Sequence, residues 1–184
     1  MAWELGAMGA ALLAALSIGA YTLRTGISPM PSGPRACRAL LAALPARVDG
    51  TVYELGAGWG TLALPLARRY PRQPVVAFEL SPLPWLVCWL RGRLAGATNL
   101  RVLRVDFLGE ELSAGGLLTC YLYPEGMARL APKLAVELRP GAWVLSNSFA
   151  LPGWQARAVL PSGGLWGERI YVYVREDPAA AQEG

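Results

Sequence analysis

The chain contains no histidine. That absence removes imidazole general-base chemistry, Ser-His-Asp triads and most metal-ligand sets, so no metal site is expected. Cysteine is scarce: Cys37, Cys88 and Cys120 form no CxxC pair. They read as buried thiols of a reducing compartment, not as a disulfide set or a zinc site. Charge is sparse as well. Charged residues make up 16% of the chain and the formal net charge is +4, mostly arginine. This is too mild to argue for nucleic acid, though it suits an anionic membrane surface. Internal repeats and low-complexity linkers are missing. What is present in quantity is apolar: 54% of the residues, much of it Ala and Leu. A chain of 184 residues suffices for one α/β domain with a real core and a short extension.

The longest stretch without charge is Leu5 to Leu23. Nineteen helical residues at ~1.5 Å each would reach ~28 Å, about one hydrocarbon core. A secretory signal normally opens with positive charge, but this chain opens Met-Ala-Trp-Glu. Positive residues follow the stretch, at Arg24, Arg35 and Arg38. By the positive-inside rule the segment is expected to be a single-pass anchor in the cell membrane, with the following domain facing the cytoplasm. Ala10, Ala14, Ala11, Ala15 and Gly19 make small-xxx-small rows suited to another membrane helix. The alternative is an Ala-rich helix lying on the domain. The expected organisation is a hydrophobic helix over 1–25, a catalytic domain over 26–176 and a frayed tail over 177–184.

Gly26 to Gly33 breaks the chain. Ser32 is the expected N-cap of a helix from Pro34 to about Leu44. The run Val52-Tyr53-Glu54-Leu55-Gly56-Ala57-Gly58-Trp59-Gly60-Thr61 then reads as strand, tight turn and helix. Bare glycines let a ligand press against backbone N–H groups. A dinucleotide fingerprint would be Gly-x-Gly-x-x-Gly; here the spacing is Gly-x-Gly-x-Gly, with an acid two residues before the first glycine. This resembles motif I of class I S-adenosylmethionine (SAM) methyltransferases, although a purely structural turn would look the same. The resemblance implies that Gly56, Gly58 and Gly60 line the cofactor and that Glu54 orients its cationic amino-acid end through a water.

A first crossover helix is expected over Thr61–Tyr70, starting late because of Pro65. The second strand is expected over Pro74–Leu80, built on Val75-Val76-Ala77-Phe78 and ending at Glu79. An acid there lies about 20 residues past the glycines and can accept hydrogen bonds from both ribose hydroxyls; otherwise it is a surface acid. A second helix runs from Ser81 to about Leu94, and Arg101 to Val105 is the third strand. Asp106-Phe107 follows. In this architecture the acid meets the adenine amino group and the apolar neighbour covers the ring, while a helix N-cap is the competing role for Asp106.

The fourth strand is expected over Leu117–Leu122, running into Tyr121-Leu122-Tyr123-Pro124. The first and fourth strands of a doubly wound sheet are neighbours at the switch point where ligands bind. Tyr121, Tyr123 and Glu125 should therefore sit near the reactive methyl. Aromatic faces suit a sulfonium or an approaching amine. By alternation the two tyrosines point the same way; the alternative is one in the core and one on the surface. A helix over Glu125–Leu138 is expected to restart at Pro132. A fifth strand, Ala142 to about Phe149, brings Ser146 and Asn147 to the cleft mouth, where they could orient a substrate nitrogen without charging it or serve as turn residues. Gln155–Leu160 and Arg169–Arg175 form a closing hairpin.

The alternation predicts one open seven-stranded, mostly parallel α/β sheet with an antiparallel edge hairpin. With Glu54, Glu79 and Asp106 it resembles the Rossmann-like class I methyltransferase fold. Further residues narrow the likeness: Pro31-Ser32, Phe78-Glu79-Leu80-Ser81-Pro82, Glu137-Leu138-Arg139-Pro140-Gly141, Val144-Leu145-Ser146-Asn147-Ser148-Phe149 and Pro152-Gly153-Trp154. The chain is similar to the protein-lysine methyltransferase family that includes the mitochondrial ATP synthase c-subunit lysine methyltransferase and its archaeal relatives. Trp59, Gly33-Pro34 and the Tyr-Leu-Tyr-Pro signature depart from that family's usual pattern. The resemblance implies SAM as cofactor and a lysine amine, in a membrane-associated protein, as acceptor, positioned by Tyr121, Tyr123, Ser146 and Asn147. Two rival readings share much of this: methylation of a membrane lipid or quinone, and a non-catalytic module that keeps the fold to bind a partner.

Overall fold

The computed structural model describes residues 3, 4, 8, 33–164 and 167–177. Helix α1 (Pro34–Ala43) begins with Gly33 as its N-cap, one residue after the expected Ser32, which lies outside the described residues; Pro34 at the first position presets the backbone. The sheet strands are β1 (Thr51–Leu55), β2 (Val75–Phe78), β3 (Leu100–Leu103), β4 (Gly115–Cys120), β5 (Trp143–Asn147), β6 (Ala158–Pro161) and β7 (Arg169–Val174). Their order is β3-β2-β1-β4-β5-β7-β6. The five strands β1 to β5 run parallel, and β7 inserts antiparallel between β5 and β6. This is the expected class I methyltransferase architecture. The uncharged stretch 5–23 falls almost wholly outside the described residues. Among the described residues no helix is long and apolar enough to cross a membrane.

The crossovers are α2 (Ala63–Arg69), α3 (Pro82–Leu94) and α4 (Pro124–Glu137), with a 3-10 turn at Phe107–Gly109. One apolar layer joins Leu40 of α1, its C-cap Leu44 and Leu66 of α2 to Val52, Val75, Leu117 and Leu145 on one sheet face. The other joins Met127, Leu130 and Leu134 of α4 to Leu55, Leu118 and Val144 on the opposite face. The alternation of strand side chains puts each face under its own helices.

Three of the differences from expectation have clear physical reasons. Helix α2 starts at Ala63, so Pro65 falls in its first turn, where its missing N–H has no intrahelical partner to lose. Helix α4 is continuous through Pro132, with no restart. Pro132 and Ala128, whose carbonyl it leaves unbonded, are both exposed, so water can satisfy that oxygen. Strand β4 starts at Gly115 and stops at Cys120, so Tyr121 to Tyr123 lie beyond the strand and Tyr123 is the N-cap of α4.

The register aligns the C-terminal ends of the parallel strands. Leu55 pairs with Phe78 and with Cys120, and Cys120 pairs with Ser146. Everything that follows these residues in the chain therefore emerges along one edge of the sheet, on either side of the point where the order reverses between β1 and β4.

Candidate active site

The turn after β1 is built from left-handed backbone. Gly56, Gly58 and Gly60 have φ of 83°, 53° and 74°. Their surroundings separate their roles. A Cβ at Gly60 would lie 2.7 Å from Cys88 Sγ and 3.2 Å from its Cα, so Gly60 lets α3 close against the turn. A Cβ at Gly58 would meet nothing within 4 Å, so that position faces open space. Arg91 of α3 donates to the Trp59 carbonyl at 2.6 Å, a second tie from α3 to the same turn.

Glu79 stands at the end of β2, 8% exposed. Its Oε2 accepts from Gly58 N and its Oε1 from Ser81 N, both at 2.7 Å. One carboxylate thus fixes the glycine turn and caps α3, whose Ser81 makes no side-chain cap. Each oxygen has a second lone-pair direction, so Glu79 can hold these N–H groups and still accept from two hydroxyls. Glu54, on the penultimate position of β1, is 6% exposed and its Oε2 has no hydrogen-bond partner. Burial, and then the neighbouring Glu79 charge, push its carboxyl up to about 8. A buried, unpartnered carboxyl oxygen is costly to maintain, and a cationic ligand would relieve it. Burial, followed by Glu54, also drives the Cys88 thiol up to about 12, which leaves it an inert packing group.

Asp106 caps the 3-10 turn: its Oδ1 accepts from Leu108 N at 3.0 Å. The capping role is therefore real, and Oδ2 and the exposed position leave a further acceptor outward. Phe107 is turned into the core with Leu55 and Phe78. Leu80 is half-buried between β2 and α3.

Across the switch point, Tyr121 and Tyr123 do share a side, and what they share is Phe149. Its ring lies 6.3 Å from Tyr121, nearly parallel, and 5.7 Å from Tyr123, tilted by 41°. All three are half-buried. The sequence places Phe149 at the end of the fifth strand, but β5 stops at Asn147, and the ring role of Phe149 follows from a turn that strand alternation does not reveal. That turn is held by Ser146, whose Oγ donates to the Phe149 carbonyl at 2.6 Å, and passes through Ser148 at φ 69°. Ser146 is fully buried, so its hydroxyl is committed to the turn and not presented at the mouth. Asn147 is 3% exposed and its Oδ1 lies 3.4 Å from Ser148 Oγ. Glu125 is exposed in the first turn of α4. The segment after Phe149 is pinned: Leu151 N donates to the Tyr173 hydroxyl at 2.8 Å, and Trp154 Nε1 donates to Ala131 O at 3.3 Å. Pro152-Gly153-Trp154 stands in the sequence as a family mark only; the anchoring role is invisible there because its partners lie on β7 and α4.

The site residues thus fall into two groups. Glu54, the glycines and Glu79 form a connected cradle with an open glycine face and an orphaned acidic oxygen, which fits SAM. Tyr121, Tyr123 and Phe149 form an aromatic cluster beyond β4 and β5.

Comparison with known proteins bears on the same region. The model of the ANTKMT methyltransferase domain matches residues 54–158. A protein-lysine N-methyltransferase of Saccharolobus islandicus is 25% identical over 147 residues, covering 79% of this chain and 91% of that protein. The adenine nucleotide translocase lysine N-methyltransferase of Mus musculus is 30% identical over 173 residues, covering 88% of this chain and 72% of that protein. Among solved structures, an RNA methyltransferase from Salinibacter ruber in complex with S-adenosyl-L-homocysteine superposes with a TM-score of 0.68 at 24% identity, over 80% of this chain and 95% of that one. A SAM-dependent methyltransferase from Aquifex aeolicus gives 0.61 at 14% identity, over 79% and 93%. At those identities the solved structures speak for the fold alone. The domain match, spanning more than half of the sequence and beginning at Glu54 itself, shows that this chain belongs to the ANTKMT methyltransferase domain family of SAM-dependent methyltransferases.

Proposed function

We propose that the chain methylates the side-chain amine of a lysine in a membrane-associated protein. The observation that carries this reading is the aromatic cluster of Tyr121, Tyr123 and Phe149 beside the cofactor cradle. The names of the two curated relatives, both lysine N-methyltransferases, support it. Bound SAM supplies a methyl carbon made electrophilic by the sulfonium. The protein's share is binding and alignment. Glu79 accepts the ribose hydroxyls while holding the Gly58 and Ser81 N–H groups, and Glu54 neutralises the cationic amino-acid end. Asp106 offers its outer oxygen to the adenine amino group. Tyr121, Tyr123 and Phe149 present ring faces to a cationic amine and to its alkyl stem. Ser146 fixes the turn that carries Phe149. Orientation of this kind supplies ~7–11 kcal/mol in the best cases. The amine must lose its proton before attack. With no histidine in the chain, that proton goes to water or to a carboxylate, of which Glu125 is an exposed candidate.

The uncharged stretch Leu5–Leu23, followed by Arg24, supports a single-pass anchor with the domain on the cytoplasmic side. The test is incubation of the full chain with methyl-labelled SAM and membrane fractions. Label on lysine in a membrane protein is the expected result; label confined to lipid or small metabolites would reject the lysine reading. Lys133 is the only lysine in this chain and is paired with Glu137 at 2.6 Å, so a Lys133→Arg control separates self-labelling from transfer.

A further inference from the structure

Helix α3 is apolar on the wrong side for a simple crossover. Its buried face is Pro84, Cys88 and Gly92. Facing outward are Leu86 (46% exposed), Trp89 (39%), Leu90 (47%) and Leu94 (80%). At 3.6 residues per turn these four fall within an arc of about 140°. They form one stripe along the helix, whereas isolated exposed apolar residues would need no explanation. The only charge within the arc is Arg93, whose guanidinium lies 5.6 Å over the Trp89 ring. Arg91 stands at the margin of the stripe.

The charge around this helix is one-sided. Residues 56–105 carry seven arginines and a single acid, Glu79, which is buried. The whole chain holds 17 basic and 13 acidic residues, so outside that stretch acids outnumber bases. The excess positive charge therefore belongs to the part of the fold made by α2, β2, α3 and β3. A stripe of Leu and Trp with arginine at its end and margin, in a basic stretch of the chain, has the composition of a helix that lies in a bilayer interface. The helix itself carries Arg91 and Arg93 and no acid, a sign that complements anionic headgroups.

We propose that the outer face of α3 docks on the surface of an anionic phospholipid bilayer. Leu86, Leu90 and Leu94 enter the headgroup–acyl boundary, Trp89 sits at headgroup level, and Arg93 meets lipid phosphate. This contact is independent of the stretch 5–23 and of the identity of the methyl acceptor.

The test uses the full chain carrying Leu94→Cys and a nitroxide label. The native thiols are all buried, and those of Cys88 and Cys120 are pushed up to about 12, so labelling favours the new site. Val136→Cys on α4, at an 86% exposed position on the opposite face of the sheet, is the control. Each is reconstituted with phosphatidylcholine vesicles, with or without phosphatidylglycerol. The proposal expects the oxygen-to-nickel collision ratio at 94 to rise several-fold with phosphatidylglycerol and to stay low without it, while 136 stays in water in both. Arg93→Glu should weaken that response by roughly tenfold or more. A label at 94 that stays in water on anionic vesicles overturns the proposal. If the protein still sediments with those vesicles, the anchor survives and only the docking face is lost. Spin–spin broadening between labels would assign the face to a second copy, and shielding at 94 without any vesicle would assign it to the chain's own N-terminal stretch. Either would also overturn it.

Discussion

Glu54 is where the energetics of the site concentrate. Its carboxyl is pushed up to about 8 by burial and then by Glu79, so near neutral pH it holds its proton before the cofactor arrives. A bound cation reverses that preference. Binding of SAM below about pH 8 should therefore release a proton, and affinity should rise with pH up to that value. Calorimetry in two buffers of different ionisation enthalpy reads the proton directly; equal heats in both would contradict it. Glu54→Gln should remove the proton release and weaken binding without unfolding the protein, because the amide mimics the neutral acid. The glycines give a second contrast. Gly60→Ala places a methyl against Cys88 and forces α3 away, so thermal stability and SAM affinity should fall together. Gly58→Ala has free space but φ 53°, so a stability loss of only about 1–2 kcal/mol is expected with a larger loss of affinity.

At the scale of elements, the turn after β5 sets the acceptor side of the site. Ser146→Ala removes the hydroxyl that holds Phe149's carbonyl, worth about 1 kcal/mol. The expected signature is a raised KM for the methyl acceptor with unchanged SAM affinity; an unchanged KM would show that Phe149 holds its place unaided. Most of the elements were legible, and β1, β2 and β4 most plainly, because each is a short apolar run with an acid or a tyrosine at its end, followed by a helix. The boundaries were less so. Pro132 looks like a break in one dimension and is harmless on a wetted face. Asn99 shows the deeper limit. Its Nδ2 reaches the carbonyls of Ala67, Tyr70 and Gln73 at 3.0–3.1 Å and closes the end of α2, yet nothing in the local sequence marks it. Phe149's ring contacts and the two backbone N–H groups on Glu79 were hidden for the same reason: their partners are distant in the chain or sit in backbone that only the turn geometry brings near.

For the molecule as a whole, the same buried carboxyl shapes stability against pH. Because Glu54 is raised in the fold, the bare protein keeps its proton after the unfolded chain has lost it, so stability should fall as pH rises from about 4.5 to about 8. Glu137 works in the opposite sense. Burial raises it, but Lys133 and the Leu112 N–H outweigh that and hold it below its usual value, so its contribution disappears in acid. Denaturation midpoints should therefore peak on the mildly acidic side, and Glu54→Gln should flatten the decline above it. The sheet order brings Glu54, the glycine turn and Glu79 to one side of the switch point and the aromatic cluster to the other, and the central claim is that this cradle binds SAM. Titration calorimetry of the full chain with SAM, beside Glu79→Ala, tests it most directly. The account predicts saturable one-to-one binding that weakens about 10- to 100-fold when the two charge-assisted hydrogen bonds of Glu79 are lost. Absence of binding to the native chain, or an affinity indifferent to Glu79, would contradict it.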